Sequence, residues 1–511
     1  DAVAASYGPV PLDLVAGYAD TLEALGIVRC GREAMDWAGA PTGPLAERGE
    51  GFPPPPDSRE LAAAGFAKVL CSAVWVSGRD AEEAARNSAV ILLPGGDGAG
   101  IDWTVDRERR EVRATAETAA GLVTRTARFH GDQGCTLLPA GSEEVHFEAV
   151  PVESSLPPAE SLPWPMGDRL PDETPPPGLD PARLAAAEEA AFADPEAYTA
   201  AFLAVHRGRI VAERYATDLG IGPDTQLESW SMGKSLTATL VGRLVQEGAF
   251  GLRDPAPVPA WRAPGDPRGG ITVADLLRMS SGLHCVAPRD PEYSAARGYP
   301  DHMYVYTGAI DIFEFATNRP LQFPPGTEGR YRNCDPLSLG FLVKREAARR
   351  GEEYVAFPQR LLFDRIGIRR QILEVDPHGN FSLTGFDYGT ARNWARLGLL
   401  YLNEGVWPWS SEGEGVPQRL LPEGFARFVS TPAPAWKEPV YGGLFWLNLD
   451  GTFALPRDAY YAAGAGGQYT IVVPSLDLVV VRLGHVRGGP RVVPSLNRAL
   501  EELAAALMGP R

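Results

Sequence analysis

Apolar residues return at helical spacing along Leu236, Leu240, Val241, Leu244 and Val245, so Ser229 to Glu247 is expected to form a helix with a buried face. Asp180 to Ala191 is rich in alanine and reads as another helix. The run AFLAVHRGRIVAERYA (201–216) reads as two apolar strands about a turn at Arg207-Gly208. Toward the other end, Tyr460 to Leu483 reads as a strand, a turn at Pro474 to Asp477 and the strongly apolar strand VVVRL. A closing helix is expected from Pro494 to Met508. Residues 265–440 carry mostly helical and loop signals. The expected fold class is α/β of the α+β kind: an antiparallel sheet completed by the two ends of this region, flanked by helices and interrupted by a helical subdomain.

Upstream the pattern is thinner. Leu61 to Trp75 is a helix candidate and Ala89 to Leu93 a strand candidate, and PGGDGAG (94–100) is a loop too loose for a dinucleotide-binding fingerprint. Residues 151–181, PVESSLPPAESLPWPMGDRLPDETPPPGLDP, are dense in proline without helical or strand period, which marks a linker or an extended wrap. A chain of 511 residues exceeds what one core usually organises. Three parts are therefore expected: a smaller N-terminal α+β accessory domain over 1–150, the linker 151–181, and the main domain over 182–511.

Charge removes several classes of function. A net charge of −17 with no basic run opposes phosphate backbones and anionic lipid, so nucleic acid is not an expected partner. Nothing approaches eighteen consecutive apolar residues, so no membrane span is expected. The first residue is Asp rather than Met, and with the cysteines this favours a periplasmic or secreted protein over a cytoplasmic one. The five cysteines form no CxxC pair and have no histidine at zinc-ligand spacing, so neither a metal nor another cofactor is expected. Cys71 and Cys135 suit either a disulfide or two buried thiols. A homodimer is one expected assembly.

Lysine stands only at Lys68, Lys234, Lys344 and Lys437, while arginine fills the other basic positions. Where arginine is the default cation, a retained lysine points to a need for an amine that can lose its proton. Lys234 closes the motif Ser231-Met-Gly-Lys234 at the start of the buried helix, a spacing that puts both side chains on one face. A serine hydroxyl needs a neighbouring base to become a nucleophile, and a lysine serves when burial and a helix N-terminus lower its pKa. A phosphate-binding loop is excluded because Glu228 stands where its upstream glycine belongs. No Gly-x-Ser-x-Gly elbow occurs, and His284 and His302 remain without a role.

The chain resembles the family of serine β-lactamases, penicillin-binding proteins, family VIII carboxylesterases and 6-aminohexanoate-dimer (nylon oligomer) hydrolases, most strongly the last. The resemblance covers about residues 182–511. It rests on LESWSMGKSLTATLVGRLVQEG, ITVADLLRMSSGL, PPGTEGRYRN, GTARNWARLGLLYLNEG and AAGAGGQYTIVVPSLDLVVV, in the family's order. It implies Ser231 as nucleophile, Lys234 as base and Tyr331, of Tyr331-Arg-Asn333, as a phenol that shares and returns the proton. It also implies an oxyanion hole from the backbone N–H groups of Ser231 and Ala465, with Asn333 and Gly464 meeting substrate. On the strand beside the site, lactamases carry Lys-Thr-Gly; this chain carries Ala462-Ala463-Gly464, so the cation that holds a lactam carboxylate is gone.

The resulting expectation is a serine hydrolase cleaving linear amides or esters through an acyl-enzyme, with a small or oligomeric amide or ester as its partner. The alternatives are a family VIII carboxylesterase, a β-lactamase or D-amino-acid peptidase, and a non-catalytic penicillin-binding-like sensor. Trp230, Tyr304, Tyr306, Trp446 and Tyr469 are candidates to line a pocket for an apolar acyl chain, with core packing as the competing role.

Overall fold

The computed structural model describes residues 57–92, 100–171, 178–293, 299–410 and 416–507. Of the PGGDGAG run only Gly100 lies within them.

The first helix, α1 (Ser58–Trp75), is capped by Asp57 and buried along every residue from Leu61 to Val74. A helix apolar on all sides has no solvent face and must be surrounded. On one side it packs against an antiparallel sheet of β1 (Ile101–Asp106), β2 (Glu111–Thr118), β3 (Gly121–Phe129) and β4 (Cys135–Leu137). Cys71 on the helix and Cys135 on β4 form a disulfide. The expected strand at Ala89 to Leu93 is instead a 3-10 turn over Ala89–Leu92. Its apolar run is short and lies against Gly65 of α1, where helical and strand patterns cannot be told apart.

The described part of the proline-rich segment is a wrap. Arg396 takes the Pro165 carbonyl at 2.7 Å, the Gly167 carbonyl at 2.7 Å and Asp168 at 2.5 Å. Trp407 donates to the Met166 sulfur at 3.1 Å.

Next come α2 (Pro181–Phe192), whose N-cap is Asp180, and the hairpin β5 (Thr199–His206) and β6 (Arg209–Tyr215). Arg207 and Gly208 both take positive φ, 49° and 74°, as the tight hairpin turn requires. A short strand β7 (Leu227–Glu228) leads to a 3-10 turn over Trp230–Met232 and then to α3 (Gly233–Gln246). Two helices of the insertion bear on the site, α4 (Asp301–Thr307) and α5 (Cys334–Arg350). They are followed by β8 (Ile372–Leu373), β9 (Asp387–Gly389) and α6 (Ala391–Leu402). The chain ends with β10 (Trp446–Leu447), β11 (Tyr460–Gly464), β12 (Gln468–Val473), β13 (Leu478–Gly484) and α7 (Gly489–Leu507).

The main sheet has the antiparallel order β10-β11-β12-β13-β5-β6, so the two ends of the domain meet at β13 and β5. Leu203, Val205, Val479 and Val481 face one core with α3 and α6, while Phe202, Ala204, Leu478 and Val480 face the other with α2 and α7. Both faces are covered, which is why these strands read as unbroken apolar runs.

Two sequence expectations are corrected here. Tyr460 to Val473 is a hairpin of two strands, because Gly466 and Gly467 take positive φ at 78° and 76° and turn the chain. The last helix begins at Gly489, five residues before Pro494, which lies inside it.

A second disulfide, Cys285–Cys334, ties the insertion to the start of α5 across 49 residues. Replacing both cysteines with serine is expected to lower stability by roughly 2–4 kcal/mol, from the loop-closure entropy restored to the unfolded chain. Urea unfolding measures it, and an unchanged midpoint sinks it.

Candidate active site

Ser231 sits in the 3-10 turn ahead of α3, and the preceding Trp230 takes φ 48°. A left-handed bulky residue is strained, and it re-aims the chain so that Ser231 stays partly exposed while its neighbours are buried. Lys234, one residue into α3, is 1% exposed. Its Nζ lies 2.9 Å from Ser231 Oγ and donates to the Thr384 carbonyl at 2.7 Å. Burial holds the amine well below its ordinary pKa, with the Asp387 charge opposing.

Tyr331 approaches from the segment before α5. Its ring centre is 5.1 Å from Lys234 Nζ, which places the phenol on the Ser231 side of the amine. Burial pushes the phenol above its usual range, while Ser231 and the Arg289 charge pull it down. Three ties fix this tyrosine. Arg332 pairs with Asp290 at 2.8 Å, Cys334 is bonded to Cys285, and Asp335 accepts from Ser281 Oγ at 2.6 Å. Burial pushes Asp335 up to about 7 against those hydrogen bonds. Ser281 belongs to ITVADLLRMSSGL, so that motif serves to brace the tyrosine.

Asn333 is fully buried; its amide donates to the His302 carbonyl at 2.7 Å, and Oδ1 has no partner among the described residues. Gly464 ends β11 against the nucleophile turn, where an added Cβ would stand 2.0 Å from the Ser229 carbonyl oxygen. Its smallness is required by the protein's own backbone. The next residue, Ala465, is exposed and begins the turn to β12. Buried Arg482 pins that turn through the Gly466 and Gly467 carbonyls at 2.8 and 2.9 Å. Strand β11 is not the sheet edge, because β10 pairs with Tyr460 and Tyr461, yet that pairing stops short of Ala462–Gly464.

Of the aromatic candidates, Trp446 packs on Tyr331 at 5.3 Å between centroids, and Trp230 and Tyr306 pack on Phe386 at 5.4 and 5.2 Å. Tyr469 instead joins Phe453 and Tyr461 in the core on the opposite sheet face, and Tyr304 packs on Phe315. Two residues to which the sequence assigned no role also enter the site. His302 lies 5.9 Å from the Tyr331 ring, and burial with the nearby cations holds it neutral. Thr384 supplies the carbonyl that accepts from both Lys234 and Tyr306. Among the described residues no cluster of His, Cys, Asp and Glu could hold a metal ion, and no helix is long and apolar enough to cross a membrane.

The arrangement is a serine beside a buried amine, at the head of a helix packed under an antiparallel sheet. The beta-lactamase family model matches residues 184–505, and the chain belongs to that family. It is 26% identical over 304 residues to the 6-aminohexanoate-dimer hydrolase of Paenarthrobacter ureafaciens, covering 56% of this chain and 73% of that protein. Among solved structures it is similar to a family VIII carboxylesterase, at 17% identity, 64% and 99% coverage and a TM-score of 0.46. A class C beta lactamase from Rhodobacter sphaeroides is similar at 18% identity, 64% and 99% coverage and a TM-score of 0.44.

Because an alanine methyl at position 464 meets backbone, the strand itself must move. Gly464→Ala is expected to slow modification of Ser231 by a fluorophosphonate at least about tenfold while far-UV circular dichroism is retained, since small displacements at a reacting centre cost rate steeply. Unaltered labelling would show that β11 does not brace the nucleophile.

Proposed function

We propose that the protein hydrolyses linear amides or esters through an acyl-enzyme on Ser231, with the nylon-oligomer type of amide ahead of a simple carboxylic ester. The observation that carries this reading is the 2.9 Å contact between Ser231 Oγ and the buried amine of Lys234. As a free base the amine donates to the Thr384 carbonyl and keeps its lone pair for the Ser231 O–H. Ser231 attacks the carbonyl carbon as its proton passes to Lys234. Tyr331, beside Lys234, delivers a proton to the leaving amine or alkoxide and recovers one from the Lys234 ammonium, and water then releases the acyl group.

The N–H groups of Ser231 and Ala465 are assigned to the oxyanion, which the pinned turn at Gly466-Gly467 supports by fixing the chain after Ala465. The acyl chain is placed along Ala462–Gly464, beyond the end of the β10 pairing. Asn333 holds the Tyr331 segment from beneath, and a contact to substrate would use its Oδ1. Without a cation at Ala462, a lactam carboxylate lacks its usual holder, which disfavours the lactamase and D-amino-acid peptidase readings. The contacts among Ser231, Lys234 and Tyr331 disfavour a non-catalytic sensor. Two disulfides suit an oxidising location, periplasmic or secreted.

Intact mass spectrometry after fluorophosphonate treatment is expected to give one adduct on the parent and none on Ser231→Ala or Lys234→Ala; an adduct persisting on Ser231→Ala places the nucleophile elsewhere. In steady-state assays Tyr331→Phe is expected to lose roughly 10²–10⁴-fold in kcat/KM on the substrate the parent turns over, the usual weight of a proton-transfer group. Linear 6-aminohexanoate dimer and p-nitrophenyl acyl esters are expected to be turned over ahead of nitrocefin, and the reverse order restores the lactamase reading.

A further inference from the structure

The Thr384 carbonyl accepts from Lys234 Nζ at 2.7 Å and from the Tyr306 hydroxyl at 2.9 Å, so its placement decides where the amine is held. Residues 382–386 lie between β8 and β9, outside every helix and strand. Leu383 N donates to the Phe381 carbonyl at 2.8 Å, Thr384 N to the Ser382 carbonyl at 2.7 Å and Gly385 N to the same carbonyl at 3.1 Å, and Phe386 follows at φ 60°. This is a run of tight turns, and a segment without a ladder of its own depends on ties from its surroundings.

Both ends of the turn are tied to one residue. The Glu374 carbonyl accepts from Ser382 N at 2.8 Å, and the Glu374 N–H donates to the Phe386 carbonyl at 3.1 Å. The Glu374 side chain is fully buried and takes Ser72 Oγ at 2.8 Å, Cys135 N at 2.7 Å and the Lys68 ammonium. All three donors come from the segment ahead of the family domain. The Cys71–Cys135 disulfide joins the helix that carries Lys68 and Ser72 to the strand that carries Cys135, so the donors are themselves held together. Thr136 Oγ1 of the same strand adds a bond to the Val375 carbonyl at 3.0 Å. Hydrogen bonds to a buried carboxylate are of the strong, charge-assisted kind, and here they come from two directions of the N-terminal segment.

We infer that Glu374 is a positioning residue: anchored by the N-terminal segment, it fixes the turn that presents the Thr384 carbonyl to Lys234. The turn in turn bears on the nucleophile, because the Phe386 ring packs on Trp230 at 5.4 Å and the next carbonyl, that of Asp387, accepts from Ser229 N at 2.9 Å. From the other side Thr237 Oγ1 of α3 reaches the Leu383 carbonyl at 2.7 Å, so the turn is strung between the N-terminal segment and the helix that carries the amine. The inference rests on Lys234 being the base of the proposed reaction.

The test follows Ser231 labelling by a fluorophosphonate on the full chain, at a temperature where circular dichroism shows each protein folded. Glu374→Ala removes every side-chain tie and is expected to label at least about tenfold more slowly, since a small displacement at a reacting centre costs rate steeply. Lys68→Met combined with Glu374→Gln keeps an acceptor for Cys135 N and Ser72 Oγ without the charges, and is expected to recover the rate to within about threefold of the parent, as neutral replacement of a buried pair is well tolerated. A folded Glu374→Ala that labels like the parent overturns the inference. Slow labelling in both proteins also overturns it, by assigning the effect to charge rather than to the ties. Ser72→Ala is the milder variant and decides the matter if Glu374→Ala does not fold. In it, hydrogen exchange of the peptide spanning 382–386 is expected to quicken about fivefold, the weight of one hydrogen bond, and unchanged exchange overturns the inference. The exchange measurement needs no reaction at Ser231, so a parent that takes no label counts against the hydrolase reading alone.

Discussion

Lys234 Nζ is removed from water and held between Ser231 Oγ and the Thr384 carbonyl, and the rest of the site is arranged to keep it there. Desolvation works against an ammonium, so the amine is held below its ordinary pKa only while its enclosure is intact. Several parts of the chain meet around the site. Tyr331 stands with its ring centre 5.1 Å from the amine and His302 packs beside that ring, Trp230 packs on Phe386, α3 carries the amine, and Gly464 of β11 approaches the Ser229 carbonyl.

The segment ahead of the family domain contributes to this enclosure from behind. Lys68, Ser72 and Cys135 converge on Glu374, two residues beyond the start of β8, and β8 pairs with β9. Breaking one partner of such a buried pair usually costs about 3–5 kcal/mol, because the other charge is left uncompensated. The Lys68 ammonium also lies 4.1 Å from the centre of the Phe386 ring, the ring that packs on Trp230. Lys68 of the N-terminal helix thus reaches Trp230, the strained residue before Ser231, through the Phe386 ring. The wrap at Pro165–Asp168, clamped by Arg396, holds α6 on the sheet in a similar way.

The central elements were legible because their patterns had one physical cause each. The face of α3 carrying Leu236, Leu240 and Leu244, the Arg207-Gly208 turn, and the apolar run of β13 each announce packing or turn chemistry directly. The serine and lysine were legible from spacing, and the tyrosine from its motif; the structure brings all three together. The turn between β11 and β12 was missed because Ala462 to Gly467 is uniformly small, so apolar continuity hid two positive-φ glycines. The four-stranded N-terminal sheet was missed because β1 and β3 are half exposed and rich in Thr, Arg and Asp, which leaves little apolar period to read.

The approach of Asp387 to α3 was illegible for a different reason: it joins positions far apart in the chain, and no local pattern records such a contact. In hindsight one residue carried a hint. Glycine at position 233 opens α3 with ordinary helical dihedrals, so the backbone alone does not require it and its presence needs another cause. The cause is the carboxyl oxygen where its Cβ would be. The same logic applies to Gly464, whose Cβ would meet a carbonyl oxygen. A glycine without positive φ near Ser231 thus reports close approach, and at both positions the approaching group belongs to the surroundings of the Ser231 turn.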